Sequence, residues 1–82
     1  MKEGEALKVT AGMRVKHVPT NEEGTILEAD FYVREYADET GSWKKIRLIC
    51  VQVKPDLPEW LPVIKYYPNN KAGRKIKDLE VL

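Results

Sequence analysis

The sequence predicts a mostly β fold: a small five-stranded barrel of bent strands, with a short helical turn before the last strand. Three observations carry this prediction. Apolar and polar residues alternate along residues 25–34, turn clusters rich in Gly, Pro and Asn recur at short intervals, and no helical periodicity persists over ten residues. With 82 residues, of which 43% are hydrophobic, the chain can close one small core and no second one.

The predicted strands begin after a polar, glycine-containing opening, so we expect residues 1–10 to form a flexible tail and residues 11–82 to form the single domain. Residues 13–18 are the first strand, and residues 25–34 are a long, half-buried second strand. The composition of residues 37–42 predicts a hairpin loop. One face of the second strand is apolar and consists of Leu27, Ala29, Phe31 and Val33.

The return strand, residues 43–53, changes its apolar phase midway. Ile46 and Leu48 share one face, whereas the apolar residues from Ile49 onward share the other. A β-bulge or sharp bend near Leu48 and Ile49 would turn both sets inward, and bent strands are what a small barrel needs.

Three prolines, Pro55, Pro58 and Pro62, interrupt the chain after this strand and predict a rigid, partly apolar loop over residues 54–61. Residues 63–67 then form a further strand, and residues 68–73 form a turn. The last nine residues, 74–82, predict one helical turn followed by the closing strand.

Both ends of the chain resemble the SH3-like small barrels, in particular KOW-type modules and interaction domains of the CarD type. The resemblance rests on Gly12-Met13-Arg14-Val15-Lys16-His17, on Gly24-Thr25-Ile26-Leu27, and on Ile76-Lys77-Asp78-Leu79-Glu80-Val81-Leu82. It covers about 25 residues and implies an SH3-like five-stranded barrel, with Gly24 allowing a close approach that a side chain would hinder. Two departures are the proline-rich insertion and a hairpin that is longer than minimal.

The charge of the chain is unevenly distributed. Residues 1–42 hold five Lys or Arg against nine Asp or Glu, a net −4, and residues 43–82 hold nine against four, a net +5. The basic half fits either a nucleic-acid surface or complementary charges on neighbouring strands. The single Cys50 lies in an apolar run and is expected to be a buried, inert thiol, so a reducing cytoplasm is the expected compartment.

Residues that could carry chemistry are few. His17 and Cys50 lie 33 residues apart, and the sequence contains no metal-ligand spacing and no Gly-rich phosphate loop. Val51-Gln52-Val53 is similar to the pore strand of plasmid-type dihydrofolate reductases, but Lys54 stands where that family has Tyr. We therefore expect no enzyme, no cofactor and no metal. No apolar run approaches the roughly 18 residues of a membrane span, so we also expect no membrane association.

Two binding functions remain open. The first is a protein-interaction module, which would bind a protein partner or a second copy through exposed aromatics and the loop at residues 58–62. Its candidate residues are Trp60, Tyr66, Tyr67 and Trp43. The alternative is a nucleic-acid-associated barrel that uses the basic half of the chain. Its candidate residues are Lys44, Lys45, Arg47, Lys71, Arg74, Lys75 and Lys77.

Overall fold

The computed structural model describes residues 1–68 and 73–82, and most of them lie in strands. The elements, in chain order, are α1 (Glu3–Ala6), β1 (Arg14–His17), β2 (Glu22–Asp38), β3 (Gly41–Pro55), β4 (Ile64–Tyr67), β5 (Arg74–Lys75), a 3₁₀ turn (Ile76–Asp78) and β6 (Leu79–Val81). The predicted mostly β class and the predicted helical turn before the last strand are both confirmed.

The strands form one barrel-like sheet in the order β5-β4-β3-β2-β1-β6. All neighbours are antiparallel except β4 and β5. The sheet is nearly closed, and the Arg74 guanidinium on β5 donates to Glu22 at the start of β2 over 2.5 Å. The structure has six strands rather than the predicted five, because the two residues Arg74 and Lys75 pair with β4 before the 3₁₀ turn begins.

A small core fills the barrel. Its fully buried members are drawn from nearly every element: Ala6, Val15, Ile26, Leu48, Val51, Val53, Tyr66, Ile76 and Leu79. Gly24 is buried where β2 pairs with the end of β3, and a Cβ there would lie 2.7 Å from the Lys54 carbonyl oxygen and from Val53 Cγ1. The close approach expected at Gly24 is therefore present, and it allows the two strands to pack tightly.

A β-bulge lies where the phase change predicted one. Asp30 pairs with Cys50 and Phe31 pairs with Leu48, so Ile49 is an extra residue on β3. The expectation that both apolar sets turn inward is only partly met. Leu48, Val51 and Val53 are buried, but Ile49 bulges outward with 48% of its surface exposed and Ile46 is 57% exposed. A second register shift leaves Leu27 as the extra residue on β2.

The hairpin predicted at residues 37–42 is present, but its loop is shorter than predicted, because the strands continue to Asp38 and resume at Gly41. Asp at the first position and Gly at the fourth is the residue signature of a tight type I turn, and Gly41 has a φ of 129°. The Asp38 carboxylate accepts from the Thr40 amide over 2.8 Å and from the Thr40 hydroxyl. These bonds hold the pKa of Asp38 below its ordinary value.

The long hairpin projects from the barrel. Residues 31–47 include no fully buried side chain, and we call this segment the arm. The whole molecule measures 52 × 23 × 21 Å, so it is more than twice as long as it is wide. We call the remaining described residues the barrel body.

Residues 1–10, expected to be a flexible tail, lie against the barrel body in the structure. Ala6 of α1 is fully buried, and Met1 and Val9 pack partly buried against the core. The Met1 amino group donates to the carbonyl oxygens of Leu79 and Lys77. The physical reason is apolar burial, which the polar composition of the segment conceals.

β3 extends two residues beyond its predicted end, through Lys54 and Pro55. Pro55 occupies the last position of the ladder opposite Gly24, where its missing N–H is of little consequence. The next donor along the chain, the Asp56 amide, bonds the Glu23 carbonyl over 3.0 Å. The loop that follows carries a cis peptide bond between Leu57 and Pro58.

Candidate functional site

The two strands of the arm present chemically different faces. Directly opposed residues of an antiparallel pair point to the same side, and neighbours along a strand point to opposite sides. The face that continues the core-facing side of the barrel is apolar near its base and ends in an ion pair; we call it the apolar face, and its members are Phe31, Val33, Glu35, Lys44 and Ile46. The other face, which we call the cationic face, consists of Tyr32, Arg34, Tyr36, Trp43, Lys45 and Arg47.

The cationic face is built from three cross-strand rows. Tyr32 lies opposite Arg47, Arg34 opposite Lys45, and Tyr36 opposite Trp43. The last row is a stacked pair, whose ring centroids are 4.1 Å apart with an angle of 14° between the planes. The Arg34 guanidinium lies 5.1 Å from the centroid of the Tyr36 ring, within the range of a cation–π contact.

The positive charges on this face form no ion pair with a carboxylate of residues 1–68 or 73–82. Among the described residues, the ion pairs are Arg14 with Asp56, Arg74 with Glu22, and Lys44 with Glu35. The last of these is the arm's ion pair, and it lies on the apolar face. Arg34, Lys45 and Arg47 therefore carry three positive charges over one exposed surface with no carboxylate within ion-pair distance in the described part of the chain.

Acidic residues do occur at the base of the same side of the sheet, but they have other partners. The Gln52 amide donates to Glu28 over 2.9 Å and to Asp30 over 2.7 Å. The bond from Gln52 to Asp30, with a further one from Cys50, holds the pKa of Asp30 below its ordinary value. The outward side of the β2–β3 hairpin thus changes from acidic at the barrel body to basic along the arm.

The four residues predicted to bind a partner protein lie in different places. Trp43 belongs to the cationic face and Tyr67 is half-buried at the end of β4. Tyr66 is 2% exposed and lies in the core, where its ring centroid is 5.5 Å from that of His17, so it presents no surface to a partner. Trp60 is 79% exposed on the proline-rich loop.

One cation, the Lys54 ammonium, bonds the backbone of the loop that carries Trp60. The Lys54 ammonium donates to the carbonyl oxygens of Pro55, Glu59 and Leu61 at 3.2, 3.1 and 2.8 Å. Leu57, next to the cis bond, is 71% exposed. The loop therefore holds two large apolar side chains in water on a fixed backbone.

The predicted basic residues also separate. Lys45 and Arg47 share the cationic face, but Lys44 points to the opposite side, toward Glu35. Arg74 is held by Glu22 and by the Tyr66 hydroxyl, Lys75 is half-buried on β5, and Lys77 is exposed on the 3₁₀ turn. Lys71 lies outside the described residues.

Sequence reasoning missed Tyr32, Arg34 and Tyr36 as members of this site. The alternation along β2 already placed Tyr32 and Arg34 on the polar face. Their alignment with Lys45 and Arg47 depends on the tight turn, however, and the Asp38…Gly41 turn signature was the signal that could have given it.

His17 and Cys50 have separate surroundings. The imidazole Nδ1 lies 2.8 Å from the Thr20 hydroxyl, and burial together with the charge of Arg74 lowers the pKa of His17. The Cys50 thiol donates to Asp30 over 3.2 Å, and burial with that neighbouring carboxylate raises its pKa to about 11, so the thiol is a weak nucleophile at neutral pH.

The mouth of the barrel and the grouping of possible metal ligands indicate no further site among the residues that the structure describes. The mouth of the barrel between His17, Glu22 and Tyr66 encloses about 10 Å³, room for roughly one water molecule. In residues 1–68 and 73–82, no group of three or more His, Cys, Asp or Glu side chains is placed to hold a metal ion. No helix of the described chain has the length and apolar character needed to cross a membrane.

Comparison with known proteins gives no match: no family model, no curated protein and no solved structure is similar to this chain. The resemblance to SH3-like barrels therefore rests on the residues quoted for it. The functional argument rests on the geometry of the arm and of the proline-rich loop.

Proposed function

We propose that this protein is a binding module whose arm binds single-stranded nucleic acid on the cationic face. The observation that carries the proposal is the coincidence of three aromatic rings with three cations on one exposed face, together with the absence of carboxylates paired to those cations in the described chain. Cations neutralise phosphates and aromatic rings stack on bases, and these are the two contacts that single-strand binders combine.

The row in which Arg34 opposes Lys45 supports this function. Like charges directly opposite each other destabilise a strand pair, so this row costs the free protein stability. A bound phosphate would relieve the repulsion, because one anion between the two strands attracts both cations.

The exposure of the aromatic rings favours a single strand over a duplex. Trp43 and Tyr32 are both about half exposed, and the three rows span roughly 14 Å at about 7 Å per row. Unstacked bases present their ring faces to such a surface, whereas the bases of a duplex are already stacked on one another.

The test is binding of a fluorescently labelled single-stranded oligonucleotide, followed by anisotropy at several salt concentrations. Neutralising about three phosphates predicts a slope of log affinity against log salt of about −2. Lys45→Ala should reduce the magnitude of that slope by about 0.7.

Lys44→Ala is the matched control, because it removes a neighbouring lysine that lies on the opposite face. Its salt slope should equal that of the unmodified protein. Tyr36→Ala should weaken binding by about 1–3 kcal/mol if one base stacks there. Absence of binding at low salt, or equal effects of Lys44→Ala and Lys45→Ala, would refute the proposal, and tighter binding to a duplex would refute the choice of a single strand.

Protein interaction through the proline-rich loop is the second candidate function. The observation that favours it is the exposure of Leu57 and Trp60 on a backbone that Lys54 holds in place, since aromatic anchors on fixed loops are typical of protein interfaces. Such an anchor loses little conformational entropy on binding.

Self-association through this loop can be tested by Trp60 fluorescence in a Trp43→Phe background. The emission maximum should move to shorter wavelength with rising protein concentration if a second copy covers the ring. Emission that does not change with concentration would argue against this form of the interaction.

A further inference from the structure

One edge of the arm has no partner strand. β1 pairs with β2 as far as Thr25, and Ile26 still exchanges hydrogen bonds with Gly12 and Met13. From residue 27 to the turn, no described strand lies beside β2 on that side. An exposed edge of this length presents a row of free N–H and C=O groups and is a template for another strand.

We propose that two copies of this chain dimerise by antiparallel pairing of these β2 edges, with the two-fold axis passing at Tyr32. The result would be a four-stranded sheet made of both arms, with the barrel bodies at opposite ends. This proposal goes beyond nucleic-acid binding and does not depend on it.

The length of the free edge sets the register. The edge begins at residue 27, where pairing with the β1 side ends, and it closes at residue 37, just before the turn. A two-fold axis at the midpoint, residue 32, pairs the whole free edge of one copy with that of the other. Moving the axis leaves part of the edge unpaired, or drives the tip of one arm into the β1 strand of the other copy.

Charge complementarity favours this register over one shifted toward the turn. With the axis at Tyr32, Asp30 lies opposite Arg34 of the second copy, and the symmetric pair forms on the other side of the axis. Opposite charges on directly opposed residues stabilise a strand pair. Shifting the axis by one residue to Val33 would instead set Glu28 opposite Asp38 of the second copy, which is repulsive.

Apolar side chains also match in this register. On the apolar face, Phe31 would lie opposite Val33 of the second copy, an aromatic and β-branched pair of the kind that stabilises sheets. Ile46 on the neighbouring strand extends the patch in both copies. The dimer thereby widens an apolar surface that is exposed in the single chain.

The other edge of the arm, on β3, is unsuited to the same pairing. Its free stretch runs from residue 41 to residue 50 and ends where Val51 pairs with β4. Registers centred on that stretch set Lys45 opposite Lys45 of the second copy, or opposite its Arg47. Like charges opposed on an edge are a known means of preventing edge-to-edge association.

A charge swap tests the dimer by sedimentation velocity without nucleic acid, over a range of protein concentrations. Asp30→Arg and Arg34→Asp should each raise the dimer dissociation constant by at least about tenfold, because each one opposes like charges across the axis. The double variant, Asp30→Arg with Arg34→Asp, restores opposite charges and should return the constant to within about threefold of the original.

Lys77→Asp is the matched control, because it reverses a charge on the exposed 3₁₀ turn, outside both strands of the arm, and it should leave the dissociation constant unchanged. A protein that stays monomeric at millimolar concentration, or a double variant no better than the single ones, would overturn the proposal.

Substituting Asp30 also removes its hydrogen bonds with Cys50 and Gln52, so a second measurement tests the dimer without changing Asp30. Tyr32→Cys in a Cys50→Ser background places two thiols directly across the axis, within the Cα separation that a disulfide spans. Mild oxidation should link the copies, whereas Lys45→Cys in the same background should link far less. Equal cross-linking of the two variants would overturn the proposal.

Discussion

The barrel body and the arm are made from the same two strands but are stabilised in different ways. In the barrel body, β2 and β3 bury Ile26, Val51 and Val53 against residues from other elements. In the arm, the same strands pair only with each other among the described residues, and no side chain of residues 31–47 is fully buried. A hairpin held together by strand pairing alone is only marginally stable in water. The arm therefore depends on its attachment to the barrel body for stability and on its cross-strand side-chain pairs for its register.

The boundary between the two regions coincides with the bulge at Ile49. A bulge bends the strand and increases its local twist. On the body side of Ile49, β4 and the N-terminal segment contact the hairpin, and Leu48 next to the bulge is still buried. From residue 47 toward the turn, no side chain of the hairpin is fully buried. A region that need not hold a core is free to present two functional surfaces.

The strongest test of this comparison is the same substitution in both regions. Ile26→Ala should lower the free energy of unfolding by about 2–5 kcal/mol, because Ile26 is 1% exposed and its loss leaves a cavity. Ile46→Ala should cost under about 0.5 kcal/mol, because the side chain is largely in water. Urea unfolding of dilute protein measures both. Equal losses would show that the arm is covered in solution or that the barrel is loosely packed.

Gly24 tests how tightly the barrel body is packed. In Gly24→Ala, the added Cβ would meet the Lys54 carbonyl and the buried Val53 side chain, so we expect a loss of about 1–3 kcal/mol in the free energy of unfolding. Gly4→Ala is the control, since a Cβ there meets nothing within 4 Å. The same urea titration serves for both, and a stable Gly24→Ala protein would mean that the close packing of β2 on β3 can relax.

His17 gives the barrel body a pH dependence just below neutral pH. The pKa of His17 is lowered by burial and by Arg74, so the unfolded chain binds the proton at a higher pH than the folded one. The contribution of the neutral His17 imidazole to the free energy of unfolding is therefore fully present above the unfolded pKa of about 6.5. It is lost as the pH falls through the lower pKa of the folded state. In His17→Gln, the urea midpoint should change less with pH over this range. An unchanged pH dependence would assign it to other titratable groups.

The smallest effect is expected from the ion pair in the arm. Glu35 and Lys44 are both mostly exposed at a separation of 3.3 Å, so Lys44→Ala should cost under about 0.5 kcal/mol in low salt and less in high salt. Arg14 in the barrel body bonds Asp56 through both terminal guanidinium nitrogens. Arg14→Ala should therefore cost more than Lys44→Ala in the same assay. The reverse order would contradict the view that the arm contributes little stability.

Much of the fold could be predicted from local pattern. Alternation along residues 25–34, the phase change before Ile49 and the punctuation by Gly12 and Gly24 are local signals, and they gave the strands, the bulge and the close approach. The sixth strand could not be predicted, because two residues are too few to carry a period. The packing of residues 1–10 could not be predicted either, because a single alanine, Ala6, makes the central contact.

The candidate site was predictable only in part. Lys45, Arg47 and Trp43 were chosen by composition, yet composition also chose Lys44, which lies on the other face, and Tyr66, which is buried. Arg34 was overlooked because its partner, Lys45, lies on another strand. Residue type indicates what a side chain can bind, but the face and the neighbours decide whether it is in a position to do so.

The sequence by itself determined the β class, the bend in β3 and the two-faced character of its longest strands, because alternation and turn chemistry act between near neighbours. Only the tertiary structure decided that Phe31, Val33 and Ile46 stay in water and that Arg34 meets Lys45. Alternation specifies which side of a strand is apolar, whereas the number of other elements that reach that side depends on the whole chain. Here those elements end at the bulge, and the arm continues beyond them.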